Sequence, residues 1–159
     1  MNKELEKAKI SAFRLLKFRI RSKSEMETRL KQKKFSLSVI REVLDFLSDL
    51  GYLDDLAFCR SWIINRRQLK PRSKRLIAYE LRQKGVDANI IEQAFGLIEN
   101  NSDADIAQDL AIRKYEKLKL FPPEVAQRRL ISYLERRGFS SGLAVNIVKG
   151  LINNDEQSS

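Results

Sequence analysis

Apolar and basic positions recur along this chain in a pattern that repeats three times. The segment Leu30–Ile40 aligns without gaps with Leu81–Ile91, 51 residues later, and then with Leu134–Ala144, a further 53 residues on. A period of this length is typical of stacked supersecondary units, each of which cannot bury its apolar face alone. The pattern therefore predicts an array of three related units, and such arrays mostly present binding surfaces.

Each copy contains the same helix signals in the same order. A basic helix end is followed by a C-cap position (Lys34, Gly85, Gly138), an apolar anchor (Phe35, Val86, Phe139) and an N-cap (Ser36, Asp87, Ser140). Glycine adopts the left-handed conformation of a C-cap without steric cost. Lys34 either adopts that conformation at a cost of roughly 1 kcal/mol, or its turn is built differently.

The spacing of apolar residues indicates about three helices per repeat and no strand alternation longer than chance. Further helix-start signals are Ser22-x-x-Glu25, Ser24-x-x-Glu27, Asp54 or Asp55, Ser102-x-x-Asp105 and Pro122-Pro123. We predict an all-α fold in which three three-helix repeats form an elongated, monomeric array. The predicted bounds are residues 1–53, 54–101 and 102–153, followed by a polar C-terminal tail at 154–159.

Composition supports a folded, basic protein. Apolar residues make up 43% of the 159 positions, which favours a buried core despite 33% charged residues. No apolar run is long enough to cross a bilayer and no leader pattern opens the sequence, so we expect no membrane association. The single cysteine cannot form an internal disulfide, which fits a cytoplasmic protein.

The net charge of +10 predicts attraction to polyanions. The excess is spread along the chain, with no detached basic tail, so the folded body itself meets the partner. The densest stretch lies between Leu56 and Tyr79, which contains no acidic residue. Arginines there can bind phosphate or the carboxylates of a protein partner; the alternative is a solvated helix end and loop.

Catalysis has little support in the sequence. The chain contains no histidine, no Gly-rich phosphate loop and no paired-cysteine metal spacing. We therefore expect no enzymatic activity, no cofactor and no metal. Asp54 and Asp55 resemble a carboxylate pair, but a helix cap explains them with fewer assumptions.

Three other side chains have both a structural and a functional interpretation. Trp62 follows Phe58 by four residues, which favours a core stripe over a platform for stacking bases. Tyr52 packs between repeats or stacks on a ligand. Cys59 borders an apolar helix face and has no histidine to activate it, which favours a buried filler.

Several segments together carry a family resemblance. The link Gly51-Tyr-Leu-Asp-Asp55, with Phe58, Arg66 and Glu80-Leu-Arg-Gln-Lys-Gly-Val86, resembles the central signature of the RecX regulatory proteins. Arg21-Ser-Lys-Ser-Glu25 and Arg137-Gly-Phe139 resemble the first and last repeats of the same family. The resemblance extends from about residue 9 to 153. The chain departs from the family at Lys34, where Gly is usual, and at Lys70-Pro71, where Gly-Pro is frequent.

The resemblance implies a slightly curved, all-helical modulator of the RecA recombinase. Members of the family bind RecA and its filament on DNA, are thought to lie in the groove of the filament, and depress its ATP hydrolysis, strand exchange and repressor co-cleavage. The alternative is a nonspecific DNA- or RNA-binding helical repeat protein that acts without RecA. A pure protein scaffold is a third class, and it leaves the charge unexplained.

The candidate surface for RecA or DNA consists of basic residues from the first two repeats. The central stretch contributes Arg60, Arg66, Arg67, Lys70, Arg72, Lys74 and Arg75, followed by Arg82 and Lys84, and the first repeat contributes Arg19, Arg21, Lys23 and Arg29. A weaker third group consists of Arg113, Lys114, Arg128, Arg129, Arg136 and Arg137.

Overall fold

The computed structural model describes residues 2–98 and 102–158, and within them it contains nine α-helices and no strand. The helices are α1 (Lys3–Phe18), α2 (Lys23–Gln32), α3 (Leu37–Asp49), α4 (Asp55–Leu69), α5 (Lys74–Gln83), α6 (Ala88–Leu97), α7 (Asp103–Leu118), α8 (Pro123–Arg136) and α9 (Ser141–Ser158). The all-α prediction with three helices per repeat is confirmed. Helix α9 includes residues 154–158 of the predicted tail, whereas residues 101 and 159 lie outside the described part.

The chain divides into two compact units that do not follow the repeats. The first unit comprises Met1–Ile63 and Glu80–Ile98, and the second comprises Ile64–Tyr79 and Glu99–Ser159. The middle repeat therefore contributes residues to both units. The predicted repeat boundaries mark repeating sequence, whereas the compact units mark the residues that pack together.

The core of the first unit is formed by the apolar faces of its helices. Helix α1 contributes Ala8 and Ala12, which are both fully buried, and small side chains here allow α1 to approach α3 closely. The other members of this cluster are Met26, Leu30, Val39, Ile40, Val43, Leu47 and Leu53. The same unit also buries Phe58, Cys59 and Ile63 of α4 and Leu81 of α5.

The second unit has a separate core built by α7, α8 and α9. Its fully buried members include Ala107, Ala111, Leu130, Leu134 and Val148. Core residues recur three, four or seven positions apart within each helix, which places them on one helix face. Each unit thus has its own apolar cluster.

The turn that ends the second helix of each repeat has the same geometry in all three copies. Lys34, Gly85 and Gly138 have φ values of 67°, 80° and 90°. In each turn the next residue donates its amide to the carbonyl five residues earlier: Phe35 to Leu30, Val86 to Leu81 and Phe139 to Leu134. Lys34 therefore shares the left-handed conformation, and the possibility of a differently built turn is excluded.

Close packing explains why two of these turns contain glycine. A Cβ at Gly85 would clash with the side chain of Ser24, and a Cβ at Gly138 would clash with Ser73 and Leu76. These positions therefore need glycine for space as well as for φ. Lys34 is not a glycine, so its left-handed backbone conformation costs about 1 kcal/mol.

The clashing side chains, those of Ser24, Ser73 and Leu76, belong to a contact between the start of one helix and the end of another. This contact, which we call the helix joint, occurs in both units. In the first unit, the Ser22 hydroxyl before α2 donates to the Lys84 carbonyl at the end of α5, at 2.7 Å. In the second unit, the Ser73 amide before α5 donates to the Arg137 carbonyl at the end of α8, at 2.9 Å. Ser22 and Ser73 are 51 residues apart and both are buried. In the first unit, this joint brings α2 next to Lys84.

Acidic residues complete each joint. Asp55 at the start of α4 accepts the Lys23 amide at 2.9 Å, and Asp103 at the start of α7 accepts the Lys74 amide at 3.1 Å. Asp54 accepts the amides of Leu56 and Ala57 and so caps α4. The cap interpretation of the Asp54–Asp55 pair is thereby confirmed, and the two carboxylates cap two different helices.

The other N-caps agree with the sequence in most cases. Ser22 forms a capping box with Glu25, so α2 begins there and not at Ser24. Asp87, Ser102 and Ser140 also accept amide hydrogen bonds at their helix starts. Ser36 holds the N-cap position of α3 without a side-chain cap bond; its amide instead donates to Glu4 at 2.7 Å. The prediction of a side-chain cap at Ser36 is wrong: the Ser36 hydroxyl lies 3.5 Å from the Ser38 hydroxyl and accepts no amide at the start of α3.

Candidate anion-binding clefts

Helices α2 and α5 border a basic cleft of about 390 Å³ in the first unit. Its lining consists of Arg19, Arg21, Ser24, Glu25, Thr28, Arg29, Gln32, Gln83 and Lys84. Four of these residues belong to the candidate surface, and Lys84 joins the other three only through the fold. Gln83, Thr28 and Gln32 add hydrogen-bonding groups that charge alone did not indicate.

Glu25 is the single acidic residue in this lining. Arg19 binds its carboxylate through two hydrogen bonds, from Nη2 to Oε2 at 2.6 Å and from Nη1 to Oε1 at 3.2 Å. The Lys84 ammonium lies 3.4 Å from Oε2. Both oxygens of this carboxylate therefore face cations, and a planar guanidinium holds it in the two-point geometry that arginine favours.

These contacts shift the ionisation of both partners. Burial works to raise the pKa of the Glu25 carboxyl, but the hydrogen bonds from Arg19 and the Ser22 amide, with the charge of Lys84, outweigh it and lower that pKa. The hydrogen bond to Glu25 in turn raises the pKa of Arg19. Glu25 is therefore ionised at neutral pH and offsets one of the four positive charges in the lining.

Arg21 is the most buried cation of the cleft, with 8% of its surface exposed. Its Nε donates to the Leu15 carbonyl at 3.3 Å, and no carboxylate of residues 2–98 lies within ion-pair distance. Burial lowers the pKa of Arg21, the nearby charges of Arg19 and Arg29 lower it further, and the charge of Glu25 offsets part of this effect. A bound anion would relieve this repulsion. The cleft has the electrostatics of a phosphate or carboxylate site.

The central basic stretch is partly occupied by internal contacts. Arg67 is half-buried, its Nη2 lies 3.8 Å from Asp103 and its Nη1 donates to the Arg72 carbonyl at 3.1 Å. Burial lowers the pKa of Arg67, while Asp103 works to raise it. Arg67 is thus engaged in contacts within the fold, and its role in the candidate binding surface stays a prediction.

The remaining candidate residues differ in exposure. Arg66 and Arg72 are half-buried, and Arg72 donates its Nε to the Lys70 carbonyl at 3.1 Å. Outside the lining of the first cleft, the exposed members are Arg60, Lys70, Lys74, Arg75, Arg82 and Lys23. Their roles in binding stay predictions.

A second basic cleft, of about 340 Å³, lies between α7 and α8 in the second unit. Its lining consists of Lys114, Leu118, Arg128, Arg129, Ser132 and Arg136, with no acidic residue among them. Arg128, Ser132 and Arg136 follow one another at four-residue spacing on a single face of α8. The cations of this cleft come from the weaker third group of the sequence, and the sequence did not show their convergence because α7 and α8 are separate segments.

Aromatic rings orient the cations around the second cleft. The Arg129 guanidinium lies 4.6 Å from the centre of the Phe121 ring. Lys114 and Arg137 lie 5.1 Å and 5.0 Å from the centre of the Tyr133 ring. Such cation–π contacts hold the charges in place without neutralising them. The cleft thus keeps its positive charge for an external anion.

The sequence allowed both a structural and a functional interpretation for Trp62, Tyr52 and Cys59, and the structure shows how each of them packs. Trp62 stacks on Phe58 with ring centres 5.9 Å apart, as a core stripe requires. Tyr52 contacts the Phe13 ring edge-to-face at 5.3 Å, which is packing within the first repeat. Cys59 is buried, and burial together with the charge of Asp55 raises the pKa of its thiol to about 11.

Among the described helices, none combines the length and the apolar character needed to span a membrane.

Comparisons with known proteins identify the family. Three family models match in order: the first three-helix domain of RecX over residues 8–47, the second over 54–94 and the third over 101–147. The chain belongs to the RecX family. The matched segments agree with the three repeats of the sequence and with the three helices that each repeat contains.

Individual RecX proteins are similar over nearly the full chain. The regulatory protein RecX of Mycolicibacterium vanbaalenii is 32% identical over 158 residues, covering 96% of this chain and 86% of that protein. The regulatory protein RecX of Mycobacterium avium is 35% identical over 144 residues, covering 90% and 83%. The crystal structure of RecX from Lactobacillus salivarius has a TM-score of 0.78 at 22% identity, covering 95% of this chain and 98% of that one. The fold of this chain is therefore the RecX fold.

Proposed function

We propose that this protein binds the RecA recombinase and its nucleoprotein filament and inhibits the filament's ATP hydrolysis, strand exchange and co-protease activities. The observation that carries the proposal is the match of all three RecX domains in order along the chain. Similar proteins are named regulatory protein RecX, which supports a regulatory role. In this proposal the protein acts in the cytoplasm, in recombination, DNA repair and the SOS response. It acts as a monomer, without a cofactor or catalysis of its own.

The basic clefts support contacts to the DNA of the filament as part of this function. The first cleft carries four cations against one carboxylate, and the lining of the second has four cations and no acidic residue. Phosphate groups spaced along a strand fit such sites, because each bound phosphate releases condensed counterions. These contacts involve the backbone and carry no sequence preference.

The second candidate function is nonspecific binding of DNA or RNA without RecA. The acid-free second cleft favours it, since a phosphate backbone alone would fill that cleft. The two functions differ in what must be present: the first requires RecA for its effect, and the second does not.

The test is the single-strand-dependent ATP hydrolysis of RecA, titrated with this protein at substoichiometric and equimolar ratios. We expect hydrolysis to fall at or below equimolar protein, and we expect no hydrolysis by this protein alone. A control titration with excess single-stranded DNA separates competition for DNA from action on the filament. Unchanged hydrolysis, with binding of this protein to the same DNA demonstrated, would favour the second function.

A further inference from the structure

The three most exposed large apolar side chains of the described residues are Phe18, Leu69 and Leu120. Their exposed fractions are 85%, 72% and 91%. The next in order is Leu37, at 60%. Scattered, half-exposed apolar residues are normal on protein surfaces. Three side chains that protrude this far need an explanation beyond that background.

Their positions repeat with the fold. Phe18, Leu69 and Leu120 are separated by 51 residues each. Phe18 is the last residue of α1, Leu69 is the last residue of α4, and Leu120 lies two residues beyond the end of α7. Each repeat therefore exposes a large apolar side chain at the corner between its first and second helices. We refer to these three residues as the corner residues.

Basic residues neighbour each corner residue in the sequence, and two of these cations, Arg19 and Lys119, are ion-paired with Glu25 and Glu116. No Asp or Glu lies within three residues on either side of any of them in the sequence. Phe18 lies between Lys17 and Arg19, Lys70 follows Leu69, and Lys119 precedes Leu120. A complementary partner surface would offer an apolar hollow with carboxylates at its rim.

We propose that the corner residues are anchors for a protein partner, each inserting into an apolar hollow with an acidic rim. The inference rests on the proposed function, in which that partner is RecA. It assigns different groups of surface residues to protein and to nucleic acid. The corner residues contact protein, and the cations of the two clefts contact nucleic acid. A protruding apolar side chain that enters a hollow on a partner removes most of its exposed apolar area from water, and this burial stabilises the complex.

A membrane surface fits these residues less well than a protein does. Binding in a bilayer interface requires a continuous apolar face along a helix. One turn before Phe18 and Leu69 the same faces carry Arg14 and Asn65, both exposed, and Leu120 lies outside the helix. The helix faces that lead to Phe18 and Leu69 are therefore not continuous apolar stripes, and the links beside Phe18 and Leu120 add only Ile20 and Phe121, which are 52% and 42% exposed.

A nucleic acid backbone fits them less well too. Phosphate and sugar groups attract cations and hydrogen-bond donors, so they give an aliphatic side chain such as Leu69 or Leu120 little to bind. Bases do stack on aromatic rings, but only Phe18 of the three has one.

The test compares two triple variants of the full chain. The corner variant is Phe18→Gln, Leu69→Gln and Leu120→Gln. The matched control is Ile10→Gln, Leu37→Gln and Leu97→Gln, which changes three other apolar residues that are 52–60% exposed. Because all six side chains are exposed, both variants should keep the helical circular dichroism and the melting temperature of the original chain.

Binding is measured to three separate probes: RecA filaments on single-stranded DNA, the same DNA alone, and vesicles of anionic phospholipid. We expect the corner variant to bind filaments roughly 1,000-fold more weakly, since each of its three buried side chains contributes on the order of tenfold in affinity. Its binding to bare DNA should be unchanged. The control variant should bind both as the original chain does.

Equal loss of filament binding in the two variants, or no loss in the corner variant, would overturn the inference. Loss of bare-DNA binding in the corner variant would overturn it in favour of contact with bases, and vesicle binding abolished only in that variant would overturn it in favour of lipid. Failure of the original chain to bind RecA filaments would contradict the proposed function itself, which the same experiment detects separately.

Discussion

At the scale of single residues, Arg67 joins two segments of the second unit through one side chain. Its guanidinium contacts both Asp103 at the start of α7 and the Arg72 carbonyl in the link before α5. The contact is half-buried, so water screens it less than it screens an ion pair on the surface. Arg75 is a useful comparison because it is exposed and lies in the same basic stretch.

We predict that Arg67→Gln lowers the free energy of unfolding by about 1–3 kcal/mol, because Asp103 and the Arg72 carbonyl lose a partially buried donor. Arg75→Gln should change it by less than about 0.5 kcal/mol. Urea unfolding followed by circular dichroism measures both. Equal stabilities of the two variants would mean that Arg67 has no structural role.

Glu25 forms internal ion pairs and also lines the first cleft. Its carboxylate holds Arg19 and lies near Lys84, and it also lowers the positive charge of the first cleft. Its removal should therefore have opposite effects on stability and on anion binding.

We predict that Glu25→Gln destabilises the fold at neutral pH and that the difference from the original chain disappears in acid. The folded-state pKa of Glu25 is lowered, so its stabilising contribution is present above the ordinary glutamate pKa of about 4.3 and is lost as the pH falls through the lower folded value. Urea unfolding between neutral pH and pH ~3 measures the difference. A stability difference that is constant over this range would contradict the lowered pKa.

At the scale of elements, the recurring feature is the joint between a serine-capped helix start and a left-handed turn. Gly85 packs against Ser24 in this joint, whereas Gly51 has a similar φ of 81° and open space, with no atom within 4 Å of where a Cβ would lie. Substitutions at these two glycines therefore distinguish the cost of the left-handed backbone conformation from the cost of a steric clash.

We predict that Gly51→Ala destabilises by about 1–2 kcal/mol, which is the cost of a left-handed alanine. Gly85→Ala should cost this amount and a further 1–3 kcal/mol or so, because the new methyl group overlaps Ser24. Thermal and urea unfolding of the two single variants give the comparison. Equal destabilisation would show that the joint has room to relax.

At the scale of the whole molecule, the net charge is +10, and the cations that contribute to it lie in different environments. Arg19 and Arg67 are bound to carboxylates inside the fold, whereas the second cleft has no acidic residue in its lining. Binding of nucleic acid should therefore depend on where a cation lies and not only on the total charge.

We predict that Arg29→Gln, Arg128→Gln and Arg136→Gln together weaken binding to single-stranded DNA, because these exposed cations line the two clefts. The dependence of log affinity on log salt should flatten by about 0.7 for each phosphate that the variant no longer binds. Fluorescence anisotropy over a range of salt concentrations measures both quantities.

The matched control removes the same number of charges from exposed positions outside the clefts, with Lys7→Gln, Arg41→Gln and Lys149→Gln. We expect this control to lose less affinity and to keep a steeper salt dependence. If both triple variants lose affinity equally, total charge governs binding and the clefts have no special role.

The sequence alone was sufficient for the helices and most of their ends, although α9 continues through residues 154–158, which were predicted as a tail. Helical spacing and capping residues act over a few positions, so α2, α7 and α8 begin at the predicted signals. The three turns were recognisable for the same reason, including the one at Lys34, because the repeat places it in register with two glycines. The repeated pattern also carried the family resemblance.

Only the tertiary structure decided which charges pair within the fold. Lys84 meets Glu25 across 59 residues of sequence, and Asp103 meets Arg67 from another helix. Long side chains have many conformations, and the partner that each one selects depends on which helices pack together. Local sequence sets where helices begin and end, whereas packing between distant segments sets which charges remain available for binding.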